Sequence, residues 1–229
     1  MISRVEVRLF PTSGASTVVA GVILRAVVVP THGARGAASV GRVGRMRGVH
    51  ERPAGLTYQP ELVDPDEERS LLTALAAYDF GEVRMHGQIA RRTVRHFGYD
   101  YDYGSFQLTE TEAVPVELHE VRERCARLAG VPADSLAQAL VTRYPPGAVI
   151  GWHRDAPAFG PTVAGLSLGS DCLLRFQRGR GDQRRVYEVE LAARSAYVLA
   201  GAARSSWQHS IPPVPRLRYS VTFRQVRRS

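Results

Sequence analysis

The sequence predicts a mainly β protein with flanking helices (α+β), an antiparallel sandwich or barrel preceded by supporting helical segments. Three observations carry this. Eight short β-type runs follow one another between Ala139 and Val226. Two amphipathic segments with helix-capping signals precede them. The 229 residues are 44% hydrophobic, which is enough for one large domain with a substantial core.

Along the chain, residues 1–52 carry eight Arg against Glu6 and Glu51, a net +6, whereas the remaining 22 Arg face 20 acids, a net +2. The formal +8 is thus concentrated in an N-terminal arm and is weak evidence for a nucleic-acid partner of the folded part. In that arm the apolar run from Ser16 is broken by Arg25 and stopped by Pro30, too short to span a membrane and too charged for a cleavable leader. The Gly-, Ala-, Ser- and Arg-rich stretch after it has neither helical nor strand period, so residues 1–52 are expected to be a disordered basic arm, with Met46 an alternative start. Residues 53–229 form the expected domain. Cys125 and Cys172 are too few and too far apart for a zinc site or disulfide framework, which points to buried thiols and a cytoplasmic location. All 30 basic residues are Arg, and the chain has no Lys or Asn.

The first helix is predicted from LVDPDEERSLLTALAAY, with Asp64 as N-cap, Pro65 at the first helical position and Glu67 three residues after the cap. Leu71, Leu72, Leu75 and Ala76 then repeat at helical spacing. A second helix is predicted from about Val116 to Leu128, with Leu118, Val121, Cys125 and Leu128 on one face and Gly130 to end it. The β runs follow: ALVTRY, AVIGWH, TVAGLSL, CLLRFQR, RVYEVEL, SAYVLAG, SSWQHSI and RLRYSVTFRQV, with no helix expected between them.

Chemistry concentrates around IGWHRDAPAFG, residues 150–160. His-Arg-Asp also occurs in kinase catalytic loops, but these need an Asn and a strand Lys, and this chain has neither. Chance alone yields an H-x-D about 0.3 times in a chain of this composition, so the pair is weak evidence in isolation. On an extended segment His153 and Asp155 project to the same face and can offer a nitrogen and a carboxylate oxygen to one ion, while Trp152 turns the other way toward the core. His209, 54 positions beyond Asp155, is the best third donor. Two histidines and a carboxylate on one octahedral face leave three positions open, the arrangement of non-haem Fe(II) oxygenases. In RLRYSVTFR, alternation sets Arg218, Ser220, Thr222 and Arg224 on one face and Leu217, Tyr219, Val221 and Phe223 on the other. If the first face points inward, its two guanidiniums require anionic partners, and a dicarboxylate such as 2-oxoglutarate meets that need. An edge strand with both Arg in solvent is the alternative.

The ordered set Tyr144-Pro-Pro-Gly147, His153-Arg-Asp155, Ser167-Leu-Gly169, His209 and Arg218-Tyr-Ser-Val-Thr-Phe-Arg224 resembles the AlkB family of Fe(II)/2-oxoglutarate-dependent dioxygenases. RTVRHFGYDYDY, residues 92–103, resembles the family's upstream aromatic region, and the likeness covers roughly residues 55–227. It implies a double-stranded β-helix (jelly-roll) core, with Fe(II) on His153, Asp155 and His209. It also implies 2-oxoglutarate touched by Tyr144 and by Arg218, Ser220 and Arg224, with O2 as co-reactant. The implied activity is oxidative dealkylation: succinate is formed, an N-alkyl carbon is hydroxylated, and the hemiaminal collapses to formaldehyde and the unmodified base. Two positions depart from the pattern. Thr142 stands where members often have Asn, and Pro157 stands where several nucleobase demethylases have an acid.

Arg92, Arg95, Tyr99, Tyr101 and Tyr103 mix charge with aromatic faces and are candidate contacts for alkylated DNA or RNA, with core packing of the aromatics as the alternative. Arg178, Arg180, Arg184 and Arg185 read as a solvated hairpin tip. The chain is expected to act as a monomer. Two further readings stay open: the same chemistry on a protein side chain or small molecule, and a metal-binding jelly-roll module without catalysis.

Overall fold

The computed structural model describes residues 51–85, 88–102 and 107–227. Apart from Glu51 and Arg52, the basic arm lies outside the described residues, and so does Tyr103. The strands are β1 (Leu56–Gln59), β2 (Gly81–Met85), β3 (Gln88–Phe97), β4 (Tyr99–Asp102), β5 (Gln107–Glu110), β6 (Gln138–Tyr144) and β7 (Ile150–His153). They continue with β8 (Phe159–Leu168), β9 (Cys172–Arg178), β10 (Arg185–Leu191), β11 (Ala196–Leu199), β12 (Gln208–Ile211) and β13 (Arg218–Val226). The helices are α1 (Pro65–Ala76), α2 (His119–Ala129) and α3 (Gly201–Ser205).

Both predicted helices form where their caps put them. The Asp64 carboxylate accepts from the Asp66 and Glu67 amides at 2.8 Å each, satisfying donors that the first turn leaves unpaired. The second helix opens with a 3₁₀ turn, Val116–Leu118, and stops at Gly130, whose φ of 67° is open to glycine without a Cβ clash. All eight β runs are strands, β6 to β13, but α3 interrupts them, contrary to the expectation of an unbroken series. Its five residues lack a hydrophobic period long enough to announce a helix.

Among the described residues the strands form three antiparallel sheets. The large sheet has the order β1-β11-β8-β13-β6-β3-β2, the small sheet β10-β9-β12-β7, and β4 pairs with β5 alone. This is a jelly-roll core: two sheets enclose one layer of side chains, and helices cover the outer face of the larger sheet. Strand alternation sorts the residues. From β13, Tyr219, Val221 and Phe223 join Leu71, Leu75, Val121 and Cys125 in the helix-facing core. Between the sheets, Tyr144, Val163, Leu174, Phe176, Leu191 and Tyr197 form the second core. Leu217 lies just before β13 and is exposed rather than packed with that apolar face. Both cysteines are buried and free, and burial pushes the Cys125 thiol up to about 12. Among the described residues no helix is long and apolar enough to cross a membrane.

Candidate active site

The polar face of β13 is its inner face. Register sets Arg218 opposite Tyr144, Ser220 opposite Thr142 and Arg224 opposite Gln138, so alternate rungs of the β13–β6 ladder deliver polar groups to the space between the sheets. The small sheet closes the other side, where antiparallel pairing of β12 with β7 puts His209 directly across from His153. A cavity opens between them, lined among others by Tyr144, His153, Asp155, His209, Ser220 and Arg224. Thus residues 144 to 224 meet because two ladders face each other.

His153 ends β7, so Asp155 stands in the following loop and not on an extended strand as expected. Its direction is set by Arg224, whose Nε and Nη2 both lie 2.9 Å from Oδ1. Burial alone would raise the Asp155 pKa, but Arg224, His209, His153 and Arg204 outweigh it and hold the carboxyl well below the usual range. The second oxygen, Oδ2, is buried without a hydrogen-bond partner and sits 3.8 Å from His209 Nε2. The two imidazoles lie 4.2 Å apart between centroids. His153 Nδ1 is 2.9 Å from the Gly151 carbonyl, which can only accept, so Nδ1 carries the proton and Nε2 keeps its lone pair. Burial lowers both histidines, His209 to about 3, with the neighbouring His153 adding to the effect there. Both are therefore neutral at pH 7, the protonation state a metal needs. Among the described residues no three His, Cys, Asp or Glu side chains already close on one point at ligand distances. The 3.8 Å between His209 Nε2 and Asp155 Oδ2 compares with about 3 Å between adjacent donors on a metal with ~2.1 Å bonds.

Arg218 supplies the second anomaly. Its side chain is completely buried, with Nε donating to Ser167 Oγ at 3.0 Å and the guanidinium 5.0 Å from the Tyr144 ring centroid. Both terminal nitrogens lack a partner of satisfactory geometry. A buried guanidinium left this way costs several kcal/mol, about what an incoming carboxylate would return. An orphaned acceptor at Asp155 and an orphaned fork at Arg218, with neutral histidines between the sheets, fit a cation and a dicarboxylate.

The remaining expectations separate. Thr142 and Ser220 line the cavity, and Pro157 is exposed on an adjoining groove with Arg154, Phe159 and Arg204. Arg92 is buried, donates to the Val149 carbonyl at 3.3 Å, and is close enough to act electrostatically on Tyr144 and His153. Arg95 pairs with Glu112 at 2.7 Å, and the Tyr99 hydroxyl donates to Glu110 at 3.2 Å. Tyr101 offers no open face: it is buried against Ala156 and Phe159, its ring 5.7 Å from that of Phe159. Trp152 is half-buried under the Arg175 guanidinium at 5.0 Å, not in the core. The four arginines of the β9–β10 turn are exposed as expected.

Three contributors were not foreseen. Gln138 is fully buried and accepts from Arg224 Nη1 at 3.0 Å. Arg204 donates to the backbone carbonyls of Asp155, Ala156 and Phe159 at 3.3, 3.1 and 3.3 Å, stapling the loop that carries Asp155 to α3. Tyr197 lines the cavity opposite Gly165, where a Cβ would come within 2.5 Å of its ring. None of the three left a sequence signal of its own; only Gly165, a glycine in an apolar strand facing Tyr197, did.

A family model described as the 2OG-Fe(II) oxygenase superfamily matches residues 55–224. The chain belongs to that superfamily. Its cofactors are accordingly Fe(II), 2-oxoglutarate and O2. Within the superfamily it is an AlkB-like oxygenase. It is 30% identical over 174 residues to the mouse tRNA (carboxymethyluridine(34)-5-O)-methyltransferase ALKBH8, a match covering 72% of this chain and 25% of that protein. It is 28% identical over 124 residues to the Escherichia coli alpha-ketoglutarate-dependent dioxygenase AlkB, covering 50% and 56%. This oxygenase therefore spans about a quarter of the mouse relative's length. In fold it is similar to the solved structure of OsALKBH1, with a TM-score of 0.58 at 15% identity over 79% of this chain and 100% of that one.

Proposed function

We propose that this oxygenase removes an alkyl group oxidatively from a nitrogen of a nucleobase in DNA or RNA, with iron on His153, Asp155 and His209. Tyr144, Arg218, Ser220 and Arg224 would receive 2-oxoglutarate. The observation that carries the site assignment is the completely buried Arg218 with its open fork. The names of the relatives support the substrate class: a tRNA-modifying protein, an alkylated DNA repair protein homologue and a probable RNA/DNA demethylase.

When bound, iron with 2-oxoglutarate and O2 supplies the oxidising chemistry that hydroxylates a C–H bond and leaves succinate and CO2. The protein's own residues orient and protect. Arg218, completely buried with both terminal nitrogens free to donate, would hold the distal carboxylate. Arg224 occupies Oδ1 of Asp155 and so presents Oδ2. The Gly151 carbonyl turns Nε2 of His153 inward. A hydroxylated N-methyl group then falls apart to formaldehyde and the free base without a protein nucleophile. The dioxygenase unit begins near residue 53 in this reading, and residues 1–52 are a basic arm outside it.

A screen of 2-oxoglutarate turnover over single- and double-stranded methylated DNA and RNA tests this, with Asp155→Ala as control. Succinate and formaldehyde in equal amounts with one of these substrates, both lost in the variant, are expected. Absence of formaldehyde and of base restoration on every nucleic acid would exclude the substrate class. Exposed Pro157, which offers no charge to a base, favours a second reading in which the same chemistry acts on a protein side chain or small molecule. Succinate release stimulated by protein extract and not by nucleic acid would select it.

A further inference from the structure

Asp155 is tied to a part of the molecule that neither the large nor the small sheet contains. The β4–β5 pair forms its own two-stranded sheet, attached to the body beside the loop that follows Asp155. One attachment is apolar, Tyr101 on Ala156 and Phe159. The other is a buried polar chain. Arg224 spends Nε and Nη2 on Asp155 Oδ1 and Nη1 on the Gln138 side-chain oxygen, at 3.0 Å. Gln138 Nε2 donates to the Tyr99 backbone carbonyl on β4 at 3.1 Å and reaches His96 Nδ1 at 3.3 Å. His96 in turn lies 3.2 Å from Asp100, also on β4.

Gln138 cannot be turned over in this setting. The guanidinium only donates and the Tyr99 carbonyl only accepts, so a flipped amide would lose both contacts at a fully buried position. The plane of the Arg224 guanidinium, and through it the direction of Asp155 Oδ2, is therefore linked to where β4 sits. We infer that Gln138 is a positioning residue that couples the placement of the β4–β5 sheet to the readiness of Asp155 to bind the metal. A displacement of this sheet would thus be felt at the metal without the sheet touching it. From Asp155 through Arg224 and Gln138 to the Tyr99 carbonyl this is a physically continuous path in which every link is a hydrogen bond. It rests on the assignment of Asp155 as a metal ligand made above.

The test uses the full chain at pH 8, with Co(II) and 2-oxoglutarate so that no turnover occurs. It compares wild type, Gln138→Leu and Gln138→Glu by Co(II) affinity and by amide hydrogen exchange across residues 96–102. Loading the wild type is expected to slow that exchange at least threefold. Gln138→Leu should weaken Co(II) about tenfold, the scale of losing a group that orients a ligand, and abolish most of the slowing. Gln138→Glu, which keeps the acceptor for Arg224 but loses the donor to Tyr99, should restore the affinity without restoring the slowing. A merely structural glutamine would lower the melting temperature in both variants and leave loading-dependent exchange intact, which would overturn the coupling. Unchanged affinity in folded Gln138→Leu would overturn it too. If that variant does not fold, retained slowing in Gln138→Glu overturns the coupling on its own. A wild type that binds no Co(II) would instead remove the ligand assignment, and the coupling with it.

Discussion

Two stretches of this chain place arginines on β-strands, and they have opposite fates. On β13, Arg218 is fully buried with its terminal nitrogens open, and Arg224 grips Asp155. On β3, Arg95 lies near the surface and is neutralised by Glu112, while Arg92 is turned inward onto a backbone carbonyl. Both strands belong to the large sheet. The difference lies in their neighbours: β13 sits between β8 and β6 under the small sheet, whereas β3 is next to the edge strand β2. An arginine held where water cannot reach must have a partner, so an incomplete one marks a ligand site. An arginine at a wet edge finds a carboxylate and marks nothing by itself.

The sharpest way to break this comparison is to remove the buried charge. Arg218→Met should raise the KM for 2-oxoglutarate by roughly 100-fold or more, since a bidentate charged contact is lost. Yet the ligand-free protein should be no less stable, because an unpaired buried charge has been replaced by an apolar chain of similar size. Thermal melts with and without 2-oxoglutarate read both effects, and a large loss of stability without ligand would show that Arg218 is structurally satisfied after all. Gly165→Ala attacks the same pocket sterically. Its Cβ would lie 2.5 Å from the Tyr197 ring, so the ring must move, at a cost of about 1–3 kcal/mol in denaturant melts and with a raised KM for 2-oxoglutarate.

A pH series on metal-free protein probes the histidine side. The folded-state pKa of His209 is about 3, below its unfolded value near 6.5. Between these values the unfolded chain takes up a proton that the native state refuses, so stability is intact above about pH 6.5 and falls as the pH drops. The limiting slope is about 1.4 kcal/mol per pH unit for one proton. His209→Gln should flatten that limb of a urea-midpoint profile. Asp155, lowered in the native state, adds to the loss only below its own unfolded value of about 4. At the surface, Arg95→Ala removes an exposed pair with Glu112 and should shift stability by less than about 1 kcal/mol. Its effect on oligonucleotide affinity, read by anisotropy, should be a few-fold and independent of sequence. A larger loss would mean that Arg95 leaves Glu112 for a phosphate.

Much of the fold was legible because its signals are local. Asp64-Pro65 opens a helix and Gly130 closes one, through capping groups within four residues. The inward set Arg218, Ser220, Thr222, Arg224 follows from a period of two and needed only the side of the sheet to be known. The departures share the opposite property. Trp152 alternates as predicted, but what covers its face is Arg175 from β9, a partner that no local pattern names. Tyr101 left base stacking and core packing both open in the sequence, and it is Phe159, 58 positions away, that it packs on. Gln138 and Arg204 carry no sequence signal because their partners, Arg224 and the carbonyls of residues 155–159, lie far along the chain, and neither residue type declares its partner in advance.

By itself the sequence determined which chemistry the chain can offer and on which face of each strand it stands, because backbone periodicity depends only on near neighbours. The tertiary structure decided which of those faces meet. His153 reaches His209 through the β7–β12 register, Asp155 is aimed by Arg224 from the other sheet, and Arg218 is left open in a sealed space. Burial and long-range pairing set these outcomes, and both are properties of the packed chain, not of any segment of it.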